Sequence, residues 1–299
     1  MSDKETLTIE KIQEEIRNKN AKWTPKQERR LSLSAEEIRY SLGLRKDERA
    51  LEALRTRRDV LNINDLAREF GKSRQLAARP QSIDWRKMNG KNCVTPIKDQ
   101  QGCGSCVAFG TTATLESMLL IEQDKTMDLS EAELFFCGGA GDASCGTGWW
   151  PENAMSYLLQ KGLSEESCFP YQDSDIPCNT CSDRDKQAIK IKKHVAILDV
   201  NQRKDYLSKI GPMIGGMDVY RDFMSYSNGV YSHVAGEQVG GHCIGIIGYD
   251  DKEGCWICKN SWNVGWGESG FFRIAYGECN LDSEYPFWGV MGTTAPTSR

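Results

Sequence analysis

The 299-residue sequence predicts an α+β fold, in which a mainly helical half is followed by a mainly antiparallel sheet. Helical periodicity and helix-capping residues dominate the chain up to about residue 188, and short strand-like runs dominate after it. The composition, with 39% hydrophobic and 27% charged residues, is typical of a globular protein. The sequence contains no apolar run of about 18 residues, so no membrane span is predicted. The net charge of −4 argues against nucleic-acid binding.

The charge distribution divides the chain near residue 80. Residues 1–80 contain 19 Lys and Arg against 14 Asp and Glu, a net of +5, whereas residues 81–299 contain 19 against 28, a net of −9. We therefore expect two units that dock through opposite charges, with two independently solvated surfaces as the alternative. All 12 cysteines lie in the second unit, which favours a secreted or lysosome-like compartment. The N-terminal sequence MSDKETLTIEK has no apolar stretch of the signal-peptide kind, so the compartment stays open.

The first unit is predicted to be helical. Residues 7–19 place Leu and Ile at helical spacing, with charged residues between them. Ser34 and Glu37 form an S-x-x-E capping box, which predicts a second helix that ends near Gly43. Two further segments are a helical stretch over residues 45–60 and an exposed, cleavable linker over residues 71–82.

The second unit opens with helices and continues with strands. Residues 105–123 predict a buried helix, and Ser130 with Glu133 predicts another capping box. Pro151 to Gln160 predicts a helix with proline in its first turn. Strands are expected over residues 189–200, 242–249, 254–259 and 270–275, with a hairpin turn at residues 250–254.

Cys106 is the leading candidate nucleophile. It opens the apolar helix of residues 105–123 and follows two glycines, at positions 102 and 104. A helix N-terminus favours the thiolate, which is the reactive form of cysteine. A buried or disulfide-bonded cysteine is the alternative for any isolated case.

His242 is the candidate base. Gly240 and Gly241 precede it and leave room for a ligand, although a core histidine is the alternative. Asn260 ends the next strand of the hairpin, so adjacent antiparallel strands are expected to bring it beside His242, where it orients the imidazole. Trp262 is placed to shield that hydrogen bond from water. The other two histidines, His194 and His233, are expected to be solvated.

These motifs resemble the papain family of cysteine peptidases. The Cys103-Gly104-Ser105-Cys106 sequence is similar to the family signature, with His242 and Asn260 following Cys106 by 136 and 154 residues. The resemblance extends over residues 81–299. Further similar motifs are Ile83-Asp84-Trp85-Arg86, Val94-Thr95-Pro96 and Gly265-Trp266-Gly267-Glu268-Ser269-Gly270-Phe271.

The resemblance implies a papain-like fold, with a helical left half, a β-barrel-like right half and the active-site cleft between them. It implies that Cys106 attacks the scissile carbonyl, that His242 pairs with it as an imidazolium, and that Asn260 orients His242. Gln100 resembles the oxyanion-hole glutamine of the family. The chain departs from the family pattern at Val107, at Asn263 and in the order of Gln101-Gly102. None of these departures removes a catalytic group, so we expect activity.

The resemblance also implies a substrate cleft. Gly148 is expected to pair with an extended substrate through its backbone, and Trp149 and Trp150 are expected to wall the S2 pocket. Glu284 resembles the S2 glutamate of the cathepsin B subgroup, which predicts that S2 accepts basic as well as apolar side chains. Gly241 and Trp266 complete the expected substrate-binding set. No insertion resembling the cathepsin B occluding loop follows Trp150, which favours endopeptidase action.

The resemblance implies three disulfides and a cis-acting prosegment. The expected pairs are Cys103–Cys145, Cys137–Cys178 and Cys168–Cys181, with Cys243 and Cys258 as free core thiols. A zinc site at the two Cys-x-x-Cys pairs is the less favoured alternative, and no cofactor is expected. Residues 1–80 resemble a short prosegment that covers the cleft and is released at low pH, with an unrelated interaction module as the alternative.

The predicted function is therefore that of a monomeric cysteine endopeptidase made as a zymogen. Its expected partners are peptide or protein substrates, its own prosegment, and neither nucleic acid nor membrane. A papain-fold binding protein without turnover and a peptide ligase using the same thioester are the alternatives. The sequence leaves the natural substrate and the cleavage point open.

Overall fold

The computed structural model describes residues 7–56, 61–70 and 79–294. Residues 7–56 and 61–70 are here called the N-terminal segment, and residues 79–294 the domain. The domain places helices before a large sheet, so the predicted α+β class is confirmed. Among the described residues, no helix is long and apolar enough to cross a membrane.

The N-terminal segment consists of short helices and one strand. Helix α1 begins after Thr8, whose hydroxyl accepts the N–H of Lys11, and the capping box of Ser34 and Glu37 is present. The helix opened by Ser34 ends at Arg39, before Gly43, because the following residues extend into a cleft of the domain. The elements are α1 (Ile9–Asn18), β1 (Lys22–Pro25), a 3₁₀ turn (Arg29–Ser32), α2 (Ala35–Arg39), α3 (Glu48–Thr56) and α4 (Ile63–Glu69).

Helix α4 is missing from the sequence prediction. Its seven residues are too few to show periodicity, although Asn62 caps it by accepting the N–H groups of Asn64 and Asp65. Of the predicted linker, residues 71–78 lie outside the described residues. Ser82 begins a strand, so the end of the predicted linker belongs to the sheet instead.

The helical half of the domain follows the prediction closely. Its elements are α5 (Cys106–Gln123), a π-helix (Glu133–Cys137), α6 (Pro151–Gln160) and α7 (Arg184–Gln187). The second capping box forms only in part. Ser130 accepts the N–H of Glu133 at 2.9 Å, but the Glu133 carboxylate binds Arg184 and Ser164.

The second half of the domain contributes seven strands to a nine-stranded sheet, which β1 of the N-terminal segment and the strand Ser82–Asp84 at the start of the domain complete. All pairs are antiparallel except β5 with β8, and helix α8 (Val200–Lys209) interrupts the run of strands. The strand order is β1-β5-β8-β7-β6-β4-β9-β3, with β2 also paired to β6. The domain strands are β2 (Ser82–Asp84), β3 (Lys193–Ile197), β4 (Met213–Tyr220), β5 (Tyr226–Tyr231), β6 (Gln238–Asp250), β7 (Cys255–Lys259), β8 (Phe271–Ala275) and β9 (Phe287–Met291).

Strands β1, β2, β4, β5 and β9 and helix α8 are absent from the sequence prediction. In β4 seven of the eight residues are buried, and β9 is buried throughout, so neither shows the polar–apolar alternation that marks a strand with one solvated face. Two adjacent glycines in β4 weaken the signal further.

The three predicted disulfides are confirmed. They join Cys103 to Cys145, Cys137 to Cys178 and Cys168 to Cys181. All three lie in or beside the helical half of the domain. The other six cysteines, among them Cys243 and Cys258, are buried and form no disulfide.

The N-terminal segment docks on the sheet at one edge. Strand β1 pairs antiparallel with β5, with Trp23 opposite Gly229. The Trp23 ring lies 5.1 Å from that of Tyr231, and its Nε1 donates to the Ser232 carbonyl at 2.9 Å. This anchor holds the start of the segment, so the residues that follow are directed across the domain.

Candidate active site

Cys106 is the first residue of α5 and lies where the helical half meets the sheet. Its thiol is completely buried, and its sulfur accepts the backbone N–H of Cys243 at 3.3 Å. Because Cys243 follows His242 directly in β6, this contact brings the helix start to the strand that carries the histidine.

His242 is oriented by Asn260 as the hairpin geometry predicts. His242 Nε2 lies 2.8 Å from Asn260 Oδ1, and the same oxygen accepts the N–H of Ser261. An amide oxygen only accepts, so Nε2 carries the hydrogen and Nδ1 carries the lone pair of the neutral ring. Nδ1 has no hydrogen-bond partner within the described residues. This nitrogen is therefore free to accept a proton.

Trp262 covers the histidine. The two rings stack with centroids 4.7 Å apart, and the Trp262 indole is almost fully buried. Its Nε1 donates to the carbonyl of Ser41, which belongs to the N-terminal segment. Arg30 of the same segment lies 5.1 Å from the indole. Residues of the N-terminal segment thus contact the tryptophan that covers the imidazole.

Gln100 is fixed with its amide nitrogen toward the cleft. Its Oε1 accepts from the Ser261 hydroxyl at 2.7 Å, which sets the orientation of the amide. Its Nε2 lies 2.9 Å from the Cys103 carbonyl and 3.5 Å from the carbonyl of Leu42. A carbonyl from the N-terminal segment therefore lies next to the donor predicted for the oxyanion hole.

Burial controls the protonation of the cysteine and the histidine in this covered state. It raises the pKa of Cys106 to about 12, opposed by backbone N–H groups that include that of Cys243. It lowers the pKa of His242 to about 4, and Arg30 acts in the same direction while the Asn260 hydrogen bond opposes it. Both groups are neutral at pH 7. The helix N-terminus expected to favour the thiolate is thus outweighed while the site is closed.

The N-terminal segment runs through the cleft in extended form. The N–H groups of Gly43 and Leu44 donate to the Gly241 carbonyl at 3.1 and 3.0 Å. On the other wall, Trp149 donates to the Gly43 carbonyl and accepts the N–H of Arg45, which makes a parallel bridge. Backbone bonds on both walls therefore hold residues 43–45 between Gly241 and Trp149.

Gly43 allows this close approach. Its φ of +129° lies where side chains are strained, and a Cβ atom there would meet the Gly104 carbonyl oxygen. A Cβ atom on Gly148 would in turn meet the Gly43 carbonyl. Glycines on both sides let two backbones pack directly against each other.

The predicted substrate-binding residues lie in different environments. The Trp149 ring is buried near Phe135, and its backbone, rather than that of Gly148, pairs with the segment. Trp266 is buried in an aromatic cluster beneath Trp262. Trp150 is buried and lies directly before α6. Glu284 lies 3.9 Å from Lys46 and 3.7 Å from Arg55 of the segment, and Gly241 accepts the two hydrogen bonds already described.

The departures from the family pattern are accommodated locally. Asn263 has a φ of +70°, a left-handed conformation that asparagine tolerates better than most residues. Gln101 also has a positive φ, of +53°. Val107 is fully buried in the first turn of α5, among apolar core residues. None of the three displaces a member of the Cys106 site.

Sequence reasoning was wrong about His233 and missed two groups at the cleft. His233 stacks on Tyr220 at 3.9 Å and lies 3.2 Å from the buried carboxylate of Asp222, so it is not simply solvated. Ser261 and Asp218 were not proposed. Ser261 stands in the Asn-Ser-Trp motif. Asp218 is an acidic residue inside an apolar strand, and a buried carboxylate needs a hydrogen-bond or ion-pair partner.

The described residues give no support for the zinc site considered as an alternative. Within residues 7–56, 61–70 and 79–294, no group of three or more His, Cys, Asp or Glu side chains is arranged to hold a metal ion. Cys255 and Cys258 lie on β7, where an extended strand separates their side chains.

Comparison with known proteins agrees with the geometry of the site. The model of the papain family cysteine proteases matches residues 79–287. Pro-cathepsin H of Mus musculus is 35% identical over 68% of this chain, and the match spans 62% of that protein. Cathepsin B-like CP2 of Giardia intestinalis is 33% identical over 69% of this chain and 72% of its own.

A solved structure extends the comparison to the N-terminal segment. The fold of proCathepsin B S9 from Trypanosoma congolense matches with a TM-score of 0.80, covering 96% of this chain and 99% of that one at 21% identity. The chain belongs to the papain family of cysteine peptidases. The prediction of a cathepsin-like precursor with a papain-like fold is confirmed.

Proposed function

We propose that the protein is a cysteine endopeptidase that is held inactive by residues 1–80. The observation that carries the proposal is the arrangement of Cys106, His242, Asn260 and Gln100, in which His242 Nδ1 is free on the side away from Asn260. An imidazole fixed through one nitrogen and unpaired at the other is the arrangement a general base needs.

The first half of the reaction forms a thioester. His242 Nδ1 takes the proton of Cys106, and the thiolate attacks the carbonyl carbon of the scissile peptide bond. The oxygen of that carbonyl becomes an oxyanion, which Gln100 Nε2 and the backbone N–H of Cys106 stabilise. When the carbon–nitrogen bond breaks, the imidazolium gives its proton to the leaving amine.

The second half restores the enzyme. Water replaces the departed amine, and His242 takes one of its protons as the oxygen attacks the thioester carbon. The carbon–sulfur bond then breaks, the product leaves as a carboxylic acid, and the proton returns to the cysteine. Asn260 holds the imidazole in one orientation through both halves. No external cofactor is needed to balance these steps.

The N-terminal segment acts as the inhibitory prosegment in this proposal. It puts the Leu42 carbonyl beside Gln100 and forms backbone hydrogen bonds to both walls of the cleft. Opposite charges support the docking: Arg45 pairs with Asp142 at 2.6 Å and Arg30 lies 3.7 Å from Asp99. Removal of the segment returns water to the site, so the helix N-terminus then favours a thiolate–imidazolium pair.

The cleft supports cleavage within a chain and a mixed S2 preference. Helix α6 begins directly after Trp150, which leaves no room for an insertion there. Glu284 faces Lys46 at 3.9 Å and Arg55 at 3.7 Å, so it already attracts basic side chains from the segment. We expect Glu284→Leu to lower the Arg-to-Phe preference at P2 about threefold, a size typical of a half-exposed charge. An unchanged preference would remove Glu284 from the proposal.

Intact mass over time tests the proposal as a whole. Wild type and Cys106→Ala are incubated near pH 4.5 and pH 7.5, with and without a thiol reductant. We expect loss of about the first 80 residues in wild type only, faster at low pH. Labelling of Cys106 by a thiol-directed probe after removal of the segment is the second readout. A processed chain that neither labels nor cleaves peptides would contradict the proposal.

The prosegment role has its own test. Separately produced residues 1–80 are added to the processed enzyme, and the rate of peptide cleavage is measured. Inhibition is expected from the backbone contacts at Gly241 and Trp149. The absence of inhibition would instead favour an unrelated N-terminal module.

A further inference from the structure

We propose that Asp218 is the main carboxylate by which the cleft selects a basic substrate side chain, a role that rests on the peptidase function proposed above. Asp218 lies on β4 opposite Gly241 of β6, the glycine that accepts two backbone hydrogen bonds from the N-terminal segment. The carboxylate is therefore on the wall of the cleft, one strand away from His242.

Two neutral donors hold the Asp218 carboxylate in place. The Tyr285 hydroxyl donates to Oδ1 at 2.6 Å, and the Asn280 amide donates to Oδ2 at 2.6 Å. Burial and the bond to Asp218 raise the pKa of Tyr285, so its hydroxyl stays a donor. Neutral donors stabilise the carboxylate without cancelling its charge, which remains available to a cation.

A lysine of the N-terminal segment shows the position of that cation. Lys46 Nζ lies 3.9 Å from Asp218 Oδ1 and 3.9 Å from Glu284 Oε2, above the Tyr285 ring at 5.0 Å. The ammonium group is thus surrounded by two carboxylates and an aromatic face, which together favour a positive charge. Neither ion pair is at hydrogen-bond distance, so a longer cationic side chain could approach more closely.

The same pocket has an apolar floor. Leu44 packs over Gly216, where a Cβ atom would meet both the leucine side chain and the Tyr285 ring. Its carbonyl lies against Gly241. The aliphatic stem of an arginine or lysine fits where Leu44 lies, and its charged end then reaches the position of Lys46. One arginine or lysine side chain of a substrate can therefore occupy the space that Leu44 and Lys46 of the segment occupy together.

Burial separates the roles of the two carboxylates. The side chain of Asp218 is 3% exposed, whereas that of Glu284 is 36% exposed and is shared with Arg55. Water and salt screen an exposed charge, but they screen a buried one much less. Discrimination between a cation and a neutral side chain should therefore come mainly from Asp218, with Glu284 in a minor role.

The experiment compares peptides that differ only at P2, carrying arginine, its neutral isostere citrulline, or phenylalanine. The processed enzyme is assayed as wild type, Asp218→Asn and Glu284→Gln, and kcat/KM is measured for each peptide. For Asp218→Asn we expect the arginine-to-citrulline ratio to fall about 10- to 100-fold, the range for a lost charged hydrogen bond. For Glu284→Gln we expect a fall of about threefold or less.

The controls separate this inference from the proposed function. Glu253→Gln, at an exposed turn, removes the same charge away from the cleft and should leave the ratio unchanged. If wild type cleaves none of the peptides, the peptidase proposal itself fails. If it cleaves them and Asp218→Asn keeps the ratio, the role of Asp218 is overturned. If Asp218→Asn does not fold, Glu284→Gln still tests the proposal. A complete loss of the preference for arginine over citrulline in Glu284→Gln would mean that Glu284, and not Asp218, selects the cation.

Discussion

The N-terminal segment and the domain are stabilised in different ways. The domain has a continuous sheet, a long buried helix and three disulfides. The segment has no disulfide among its described residues, and at least three of its six elements pack on domain elements: β1 on β5, α2 on β6 and α4 on α8. The segment therefore takes its order from the domain, and we expect its removal to leave the domain core intact. Four predictions test this comparison.

The largest effect is expected from Trp23→Ala. The substitution removes a buried ring that contacts Tyr226 and Tyr231, together with the Ser232 hydrogen bond. Docking of the segment should weaken by about 3–5 kcal/mol. Hydrogen exchange of the inactive Cys106→Ala chain measures this as faster exchange in the segment. Exchange in α5 should not change, and faster exchange there would mean that the two regions unfold together.

The matched control for Trp23 is Tyr40→Ala. Tyr40 belongs to the same segment but is 44% exposed. Its loss should change docking by less than about 0.5 kcal/mol. An effect as large as that of Trp23 would contradict the view that docking depends on buried anchors.

Gly43→Ala should weaken docking by about 2–4 kcal/mol, through a strained φ and a clash with the Gly104 carbonyl. In a chain with an active Cys106, the rate of peptide cleavage before processing should therefore rise. Gly90→Ala is the control, because Gly90 also has a positive φ but open space around it. Equal effects of the two variants would mean that the contact with Gly104 is unimportant.

In the Cys106→Ala chain, where no thiolate pairs with the histidine, docking should also weaken as the pH falls from about 6.5 to about 4. The pKa of His242 is about 4 when covered and near the ordinary value of about 6.5 when water reaches it. The open state then binds more protons than the closed state, so each pH unit in this window favours opening by at most about 1.4 kcal/mol. Arg45 lowers the pKa of Asp142, so that ion pair is lost in the same direction at lower pH.

Segment exchange in the Cys106→Ala chain at several pH values, corrected for intrinsic rates, measures this dependence. His242→Gln in the same chain removes the titrating group and should flatten the profile between pH 6.5 and 4. A profile that is equally steep without the histidine would assign the acid response to the carboxylates alone.

The smallest effect is expected from Arg45→Gln. Its ion pair with Asp142 joins two half-exposed side chains, which is worth less than about 1 kcal/mol. The difference between variant and parent in segment exchange should shrink at high salt. A large effect that salt does not change would indicate that opposite charge, rather than Trp23 and Gly43, holds the segment.

The sequence predicted the domain better than the segment, for physical reasons. The 18-residue apolar run of α5 and the turn residues between β6 and β7 are strong local signals, and the placement of His242 beside Asn260 follows from those two adjacent strands. Helix α4 is too short to show a period, and β4 is buried on both faces, so neither was found. The path of residues 41–45 through the cleft depends on tertiary contacts that no local pattern encodes.

The closed protonation state was also beyond the sequence. The position of Cys106 at a helix start indicates a field that favours the thiolate, but burial of the thiol in the folded chain opposes it. Asp218 shows the reverse case. Its position between Met217 and Val219 was visible, yet its partners come from residues 280 and 285, more than 60 positions away.

The pairing of β1 with β5 has a consequence for the processed enzyme. If the proposed processing removes the segment, β5 becomes the outermost strand, and its N–H and C=O groups on that side lose their partners. An unpaired strand with aromatic neighbours is a template on which other extended chains can assemble. Removal of the segment would therefore expose an edge strand that can pair with other chains, as well as opening the cleft. The tendency of the mature enzyme to aggregate should then depend on how residues 226–231 are covered.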